Sequence, residues 1–382
     1  MRVTLVQINL TGGVSTHLYH VQVFGLARRL AESGCEVTII TGEDHGCSVR
    51  SENRDGYEVI YLPVLARKMN QTLVRSLWSS IRESEPDVVQ VAELIELTTL
   101  QTVLWCRLHS VPCVVWNGAY EYRGKWVSLQ KAYLFTVGRA ICRSGCEMIG
   151  KTTAAGRFLE RLGAPPSRVW VIPVGLDTET FIGRRVAPPD TSWVPGEPFV
   201  MNVGQMTARK NQATLIRALK LIHETCPEFK LLLIGGGSEA DSLYRLAVSL
   251  GVEKSVVMQR ARVANSDLAA IYSRAFVTAI PSEYEIFGMT MLESLACGTP
   301  VIGRRTGGMA DVIRDGVTGW LYDEDDPGFI SETVLRIYCD RAQYLDFRRR
   351  AAEESFQYDW KIIAPRFLEV YKRSRSYTRE KE

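Results

Sequence analysis

Short runs of β-branched and apolar residues alternate along this chain with longer stretches whose apolar positions recur at helical spacing. That is the pattern of parallel strands joined by crossover helices. Val3 to Leu10 reads as a buried strand that meets Gly12 and Gly13 at once, Val21 to Ser33 as a helix, and Glu36 to Thr41 as the next strand. Asp87 to Val91 and Val111 to Trp116 continue the series. Gly183 to Pro198 interrupts it with four prolines and little periodicity, and predicts a linker. A second series opens with a strand from Phe199 to Val203, a helix from Asn211 to Glu224, and a strand from Lys230 to Ile234 that ends in Gly235-Gly-Gly237. It runs on through Phe276 to Ile280 and Val301 to Gly303.

The expected fold class is therefore α/β, with two doubly wound, Rossmann-like parallel sheets in tandem. Residues 1–182 form the first domain, 183–198 the linker and 199–355 the second. Ligands of such sheets bind beyond the carboxyl ends of the strands, so the site is expected in the cleft between the domains. The tail from Phe356 to Arg373 carries Trp360, Ile363, Phe367 and Tyr371 near helical spacing, and residues 356–382 read as a helix packing back on the first domain.

Length agrees with two domains, because 382 residues exceed the roughly 250–300 at which one core stops growing. Forty-six Lys and Arg against forty-three Asp and Glu leave a net charge of only +3, a poor match for nucleic acid. No uncharged apolar run of about 18 residues is long enough to span a bilayer, and the amino terminus reads as a strand rather than a signal peptide. A cytoplasmic protein is expected. The nine cysteines are scattered, and Cys142 and Cys146, the closest pair, lack a second Cys or His pair nearby. No metal site is expected there.

The stretch from Pro281 to Pro300, PSEYEIFGMTMLESLACGTP, carries the most chemistry. An apolar strand runs into a polar turn, and a helix begins near Gly288 to Thr290. The first-turn amides of a helix lack intrahelical partners and the macrodipole adds positive potential, so that start suits a diphosphate. Glu285 precedes the turn and Glu293 lies eight positions later. A carboxylate accepts two hydrogen bonds and so suits a vicinal diol; two of them beside an anion site would grip a sugar and a ribose, as in a nucleotide sugar. The same residues also fit a solvated loop charge and a helix-start acid favoured by the dipole.

With Gly298-Thr-Pro-Val301, Gly307-Gly308 and Asp315-Gly-Val-Thr-Gly319 following, the chain resembles the retaining glycosyltransferases of family 4, which have the GT-B fold, over nearly its whole length. The resemblance implies that Glu285 contacts donor-sugar hydroxyls, Glu293 the ribose, and the stretch Phe287, Gly288, Met289 and Thr290 the diphosphate and sugar. Gly12 and Gly13 match the family's glycine loop facing the diphosphate. In Asn202-Val-Gly204-Gln205-Met-Thr-Ala-Arg209-Lys210-Asn211, Lys210 matches the lysine that neutralises the departing diphosphate. Gln205 stands where the family has an arginine, which leaves Arg209 as the nearby second cation. Asn117 stands where relatives carry a histidine near the donor sugar, and completes a catalytic set with Glu285 and Lys210. His17 and His20 read as surface or packing residues. The implied reaction retains anomeric configuration, with the departing diphosphate assisting attack from the same face. No DxD motif stands at a credible place, since Asp323-Glu-Asp-Asp326 is distant from the other motifs. Helix amides and Lys210 would take the place of a metal, so no metal and no cofactor beyond the nucleotide-diphosphate sugar substrate is expected.

The acceptor belongs to the first domain. Tyr120, Glu121 and Trp126 are its candidate contacts, with Glu93 as a further hydroxyl contact, because aromatic faces suit sugar rings. Trp126, Tyr133, Leu134 and Phe135 beside Lys131, Arg139 and Arg143 fit either a core helix with a solvated basic side or a peripheral membrane contact. The acceptor is accordingly expected to be a glycan or a lipid-linked precursor. Three rivals remain. A nucleotide-sugar epimerase of similar fold would form a new monosaccharide without an acceptor. A dinucleotide oxidoreductase is suggested by Gly235-Gly-Gly237, which lacks the full GxGxxG spacing and its following acid. A non-catalytic sugar-nucleotide-binding protein would account for Gln205 and Asn117.

Overall fold

The computed structural model describes residues 1–9, 22–44, 48–68, 71–122, 126–181, 193–196, 198–261 and 263–379. Gly12, Gly13, His17 and His20 lie outside these residues, as does most of 183–198. The chain divides into two units, Met1–Gly175 with Trp360–Glu382, and Leu176–Asp359.

The first unit is built on a sheet with strands β1 (Arg2–Val6), β2 (Glu36–Glu43), β3 (Arg50–Arg54), β4 (Tyr57–Lys68), β5 (Gln71–Val74), β6 (Val88–Ala92), β7 (Cys113–Asn117), β8 (Glu147–Gly150) and β9 (Val169–Val171). Their order is β3-β4-β2-β1-β6-β7-β8-β9, with β5 on β4. β3 and β5 pair antiparallel and the other pairings are parallel. β6, β7 and β8 are buried at every position, which is why they are mostly apolar without alternation, each carrying one buried polar residue, Gln90, Asn117 and Glu147.

The helix Trp360–Arg379 belongs to this unit. Trp360, Ile363, Phe367 and Tyr371 form its buried stripe; Phe367 meets Trp116 edge to face at 5.4 Å, and the Tyr371 hydroxyl donates to Gln90 Oε1 at 2.7 Å. Burying the Phe367 and Tyr371 rings contributes about 2 kcal/mol each, enough to hold the tail on the sheet. No helix among the described residues is long and apolar enough to cross a membrane.

The second unit holds a wholly parallel sheet of β10 (Phe199–Val203), β11 (Lys230–Ile234), β12 (Val256–Gln259), β13 (Val277–Ile280), β14 (Val301–Arg304) and β15 (Gly319–Tyr322), in the order β12-β11-β10-β13-β14-β15. The chain winds outward in one direction through β11 and β12 and in the other through β13 to β15. The switch between β10 and β13 is where such a sheet opens a crevice at its carboxyl edge.

The division between units corrects the expected boundaries of 182/183 and 355/356. Leu176 to Phe181 already belongs to the second unit: Leu176 N donates to Tyr358 O at 2.8 Å and Thr178 N to Asp359 Oδ2 at 3.2 Å. The prolines of 183–198 mark a break in periodicity, while the break in packing comes earlier, at Gly175, and again after Asp359.

Candidate functional site

At the β10–β13 switch the buried Asn202 ties the two strands together, donating from Nδ2 to Ala279 O at 2.7 Å. Gln212 Nε2 donates to Gln205 O at 3.1 Å, steadying the loop after β10. That loop runs through Gly204 and the exposed Gln205 into a single 3₁₀ turn, Ala208–Lys210. The loop after β13 leads to the helix Met289–Ala296, capped by Gly288 in the left-handed conformation (φ 88°). The two loops bind each other: Glu283 N donates to Arg209 O at 3.0 Å, and Arg209 Nη1 to Tyr284 O at 2.8 Å. Between them Lys210 Nζ pairs with Glu285 Oε1, the two side chains being 17% and 10% exposed. Gly288, Met289 and Thr290 are partly exposed, so the free amides of that helix start are open to an anion.

Two glycines make this nesting possible. A Cβ at Gly307 (φ 49°) would lie 1.7 Å from the Glu285 carbonyl oxygen, and one at Gly235 (φ 133°) 2.2 Å from that of Gly204. Only glycine lets the backbone approach so closely. Gly235 therefore buttresses the loop that carries Lys210, a sufficient reason for the Gly235-Gly-Gly237 run without a dinucleotide.

Of the expected donor contacts, Glu285, Lys210, Gly204, Gln205, Arg209, Gly288, Met289 and Thr290 are gathered on these two loops. Two others are placed differently. Phe287 is buried and meets Tyr358 at 6.5 Å, so its side chain is core and only its backbone faces the turn. Glu293 is wholly buried, its Oε2 accepting from the Tyr272 hydroxyl at 3.0 Å. Burial, and secondarily the Glu293 carboxylate, pushes that hydroxyl well up. With no accessible surface, Glu293 meets no ribose in this conformation.

Asn117 corrects another expectation. At the end of β7 it is 1% exposed, and its amide is occupied on both sides, accepting from Leu94 N at 3.2 Å and donating to Ala119 O at 2.7 Å. It braces the ends of β6 and β7 instead of reaching toward a sugar. Beside it stands a pair that sequence reading did not assemble. Glu93, in the left-handed region at φ 61°, accepts from Lys151 Nζ at 2.8 Å and from Gly118 N at 3.2 Å, and the Lys151 ammonium lies 4.4 Å from the centre of the Trp116 ring. The available signal was a lysine directly after a buried strand, at the carboxyl edge where α/β sheets bind ligands. Nearby, burial pushes the Glu96 carboxyl up to about 7, against hydrogen bonds from Asn9 and Thr98 that lower it. Tyr120 packs against the core of this unit, while Glu121 and Trp126 are exposed. Among the described residues no group of three or more His, Cys, Asp or Glu is placed to hold a metal ion, and Cys142 and Cys146 are buried free thiols.

The family model for glycosyl transferases group 1 matches residues 184–354, and that for a glycosyl transferase 4-like domain matches 19–175. Similar curated proteins include the D-inositol 3-phosphate glycosyltransferase of Salinispora arenicola, 32% identical over 241 residues that cover 57% of this chain and 52% of that protein. The protein of the same description from Mycobacterium sp. (strain KMS) is 32% identical over 225 residues, covering 57% and 50%. The chain thus spans about half the length of the curated relatives it matches.

Among solved structures, Anabaena HepE in complex with UDP and glucose superposes with a TM-score of 0.73 at 15% identity, covering 97% of this chain and 99% of that one. Sucrose-phosphate synthase from Thermosynechococcus elongatus gives 0.74 at 21% identity, covering 97% and 98%. These likenesses establish the GT-B fold. With that fold, and with family matches that fill both halves from residue 19 to residue 354, the chain belongs to the group 1 glycosyltransferases.

Proposed function

We propose that the protein transfers a hexose from a nucleotide-diphosphate sugar to an acceptor hydroxyl with retention of configuration. The observation that carries this reading is the Lys210–Glu285 pair at the β10–β13 switch, beside the partly exposed start of the helix Met289–Ala296. A diphosphate at the helix amides would share the Lys210 ammonium, and charge developing on it as the glycosidic bond breaks would meet a fixed cation. Glu285 would accept from sugar hydroxyls through its second oxygen. These groups supply the electrostatics usually left to a divalent metal, so a metal-independent reaction belongs to the reading. The ribose contact of Glu293 would follow a movement that exposes its carboxylate.

Neighbours solved with UDP make UDP-sugars the first donors to test. For the acceptor we infer a glycan or a lipid-linked precursor reached at the inner face of a membrane by a cytoplasmic protein, and the names of the curated relatives add a phosphorylated polyol to the panel. The test is a set of nucleotide sugars screened for a rise in melting temperature, followed by product analysis by NMR. Stabilisation by one donor and a product of unchanged anomeric configuration support the reading. Stabilisation by NAD alone, or a free epimerised sugar, would refute it.

A further inference from the structure

We propose that residues 126–143 of the first unit form a docking face for an anionic lipid bilayer. The helix Val127–Tyr133 buries none of its residues, although it sits in a chain whose other apolar side chains are mostly packed. Trp126, Leu129 and Phe135 are 55%, 53% and 64% exposed. Single exposed hydrophobic residues are ordinary; three large ones within ten positions, on a segment, residues 126–138, that meets the core only through Tyr133, Leu134 and Val137, are a surface feature that wants a partner.

The π-helical turn Leu134–Gly138 that follows sets the pattern. Leu134 turns into the core of the unit, and Phe135, its neighbour, faces outward. The Arg139 guanidinium lies 4.8 Å from the centre of the Phe135 ring, and Lys131 and Arg143 are exposed along the same segment.

Charge identifies the occupant. From Tyr122 to Cys146 the sequence holds Arg123, Lys125, Lys131, Arg139 and Arg143 and no Asp or Glu. In a chain with nearly equal numbers of both signs, this stretch is one-sided. Exposed Trp, Leu and Phe side chains in a stretch whose only charged residues are cations match a layer of anionic headgroups over acyl chains. The apolar side chains enter the boundary, and the basic heads reach the phosphates at its surface. The face deepens the membrane contact in the reading above, yet stands on its own observations, and the vesicle binding that decides it does not depend on turnover.

The full chain is mixed with vesicles of phosphatidylcholine alone or with added phosphatidylglycerol, and sedimented. The expected result is at least tenfold more protein bound to the anionic vesicles, with binding that falls as salt rises. Two double variants, Leu129→Ser/Phe135→Ser and Lys131→Glu/Arg143→Glu, alter exposed positions; each is expected to lose at least tenfold of that binding while keeping the wild-type melting curve. Transfer to a soluble acceptor should be retained by the Leu129→Ser/Phe135→Ser protein, which separates this surface from the transfer chemistry. Equal binding to both vesicle types, no binding to either, or variants that bind like wild type would each overturn the proposal. So would a concentration-dependent dimer, abolished by Leu129→Ser/Phe135→Ser, in a protein that ignores vesicles.

Discussion

Lys210 and Glu285 stand 75 positions apart in sequence and form one ion pair, each delivered by the loop that leaves a central strand of the second sheet. The pairing explains how a lysine and a glutamate from two separate motifs can act on one ligand. Both side chains are largely shielded from water, so their charges are screened less than those of a surface pair.

Replacing Lys210 with Met keeps a flexible chain beside Gly204 and removes the ammonium. A charge-assisted contact to a diphosphate is lost, and affinity for the nucleoside diphosphate should fall about tenfold or more. Isothermal titration with UDP reads this directly; equal affinity in the variant would remove Lys210 from the donor site.

Asn117 gives a prediction of the opposite kind. Because its amide is committed to Leu94 N and Ala119 O in a buried position, Asn117→Ala should cost about 1–3 kcal/mol of stability. Residual turnover per folded molecule should stay within a few-fold of wild type. A variant of normal stability that has lost turnover would restore the residue to the reaction.

Glu96 predicts a pH dependence. Its folded-state value of about 7 lies above the ordinary carboxylate range, chiefly through burial. The stabilisation tied to its bound proton is complete below about pH 4.5 and is lost as pH rises through 7. Glu96→Gln mimics the protonated form, so the variant should gain on wild type between those values, by on the order of 1 kcal/mol once solvent screening is allowed for. Melting curves from pH 5 to 8 test it, and a constant difference across the range would contradict the assignment.

Much of the second unit was legible because its information is local. Continuous apolar runs such as Leu231 to Ile234 fall within single buried strands, and the spacing from Glu285 to Glu293 spans one turn and one helix start. The misread features depend on distant partners. Asn117 looks available until Leu94 is brought to it by β6, and Glu293 looks accessible until Tyr272 closes over it. The Glu93–Lys151 pair joins the ends of β6 and β8, two strands that are not neighbours in the sheet, and neither local sequence implies the other. The domain boundary was placed among prolines because they interrupt periodicity; packing between Leu176 and Tyr358 decides where the unit begins, and that contact spans most of the second half of the chain.

The most direct measurement is hexose transfer by Glu285→Ala beside wild type, with the preferred nucleotide sugar at saturation and a melting curve on each protein. Turnover of the variant should be lower by about 10²–10³-fold with the fold retained. Wild-type turnover in a folded Glu285→Ala protein would contradict it.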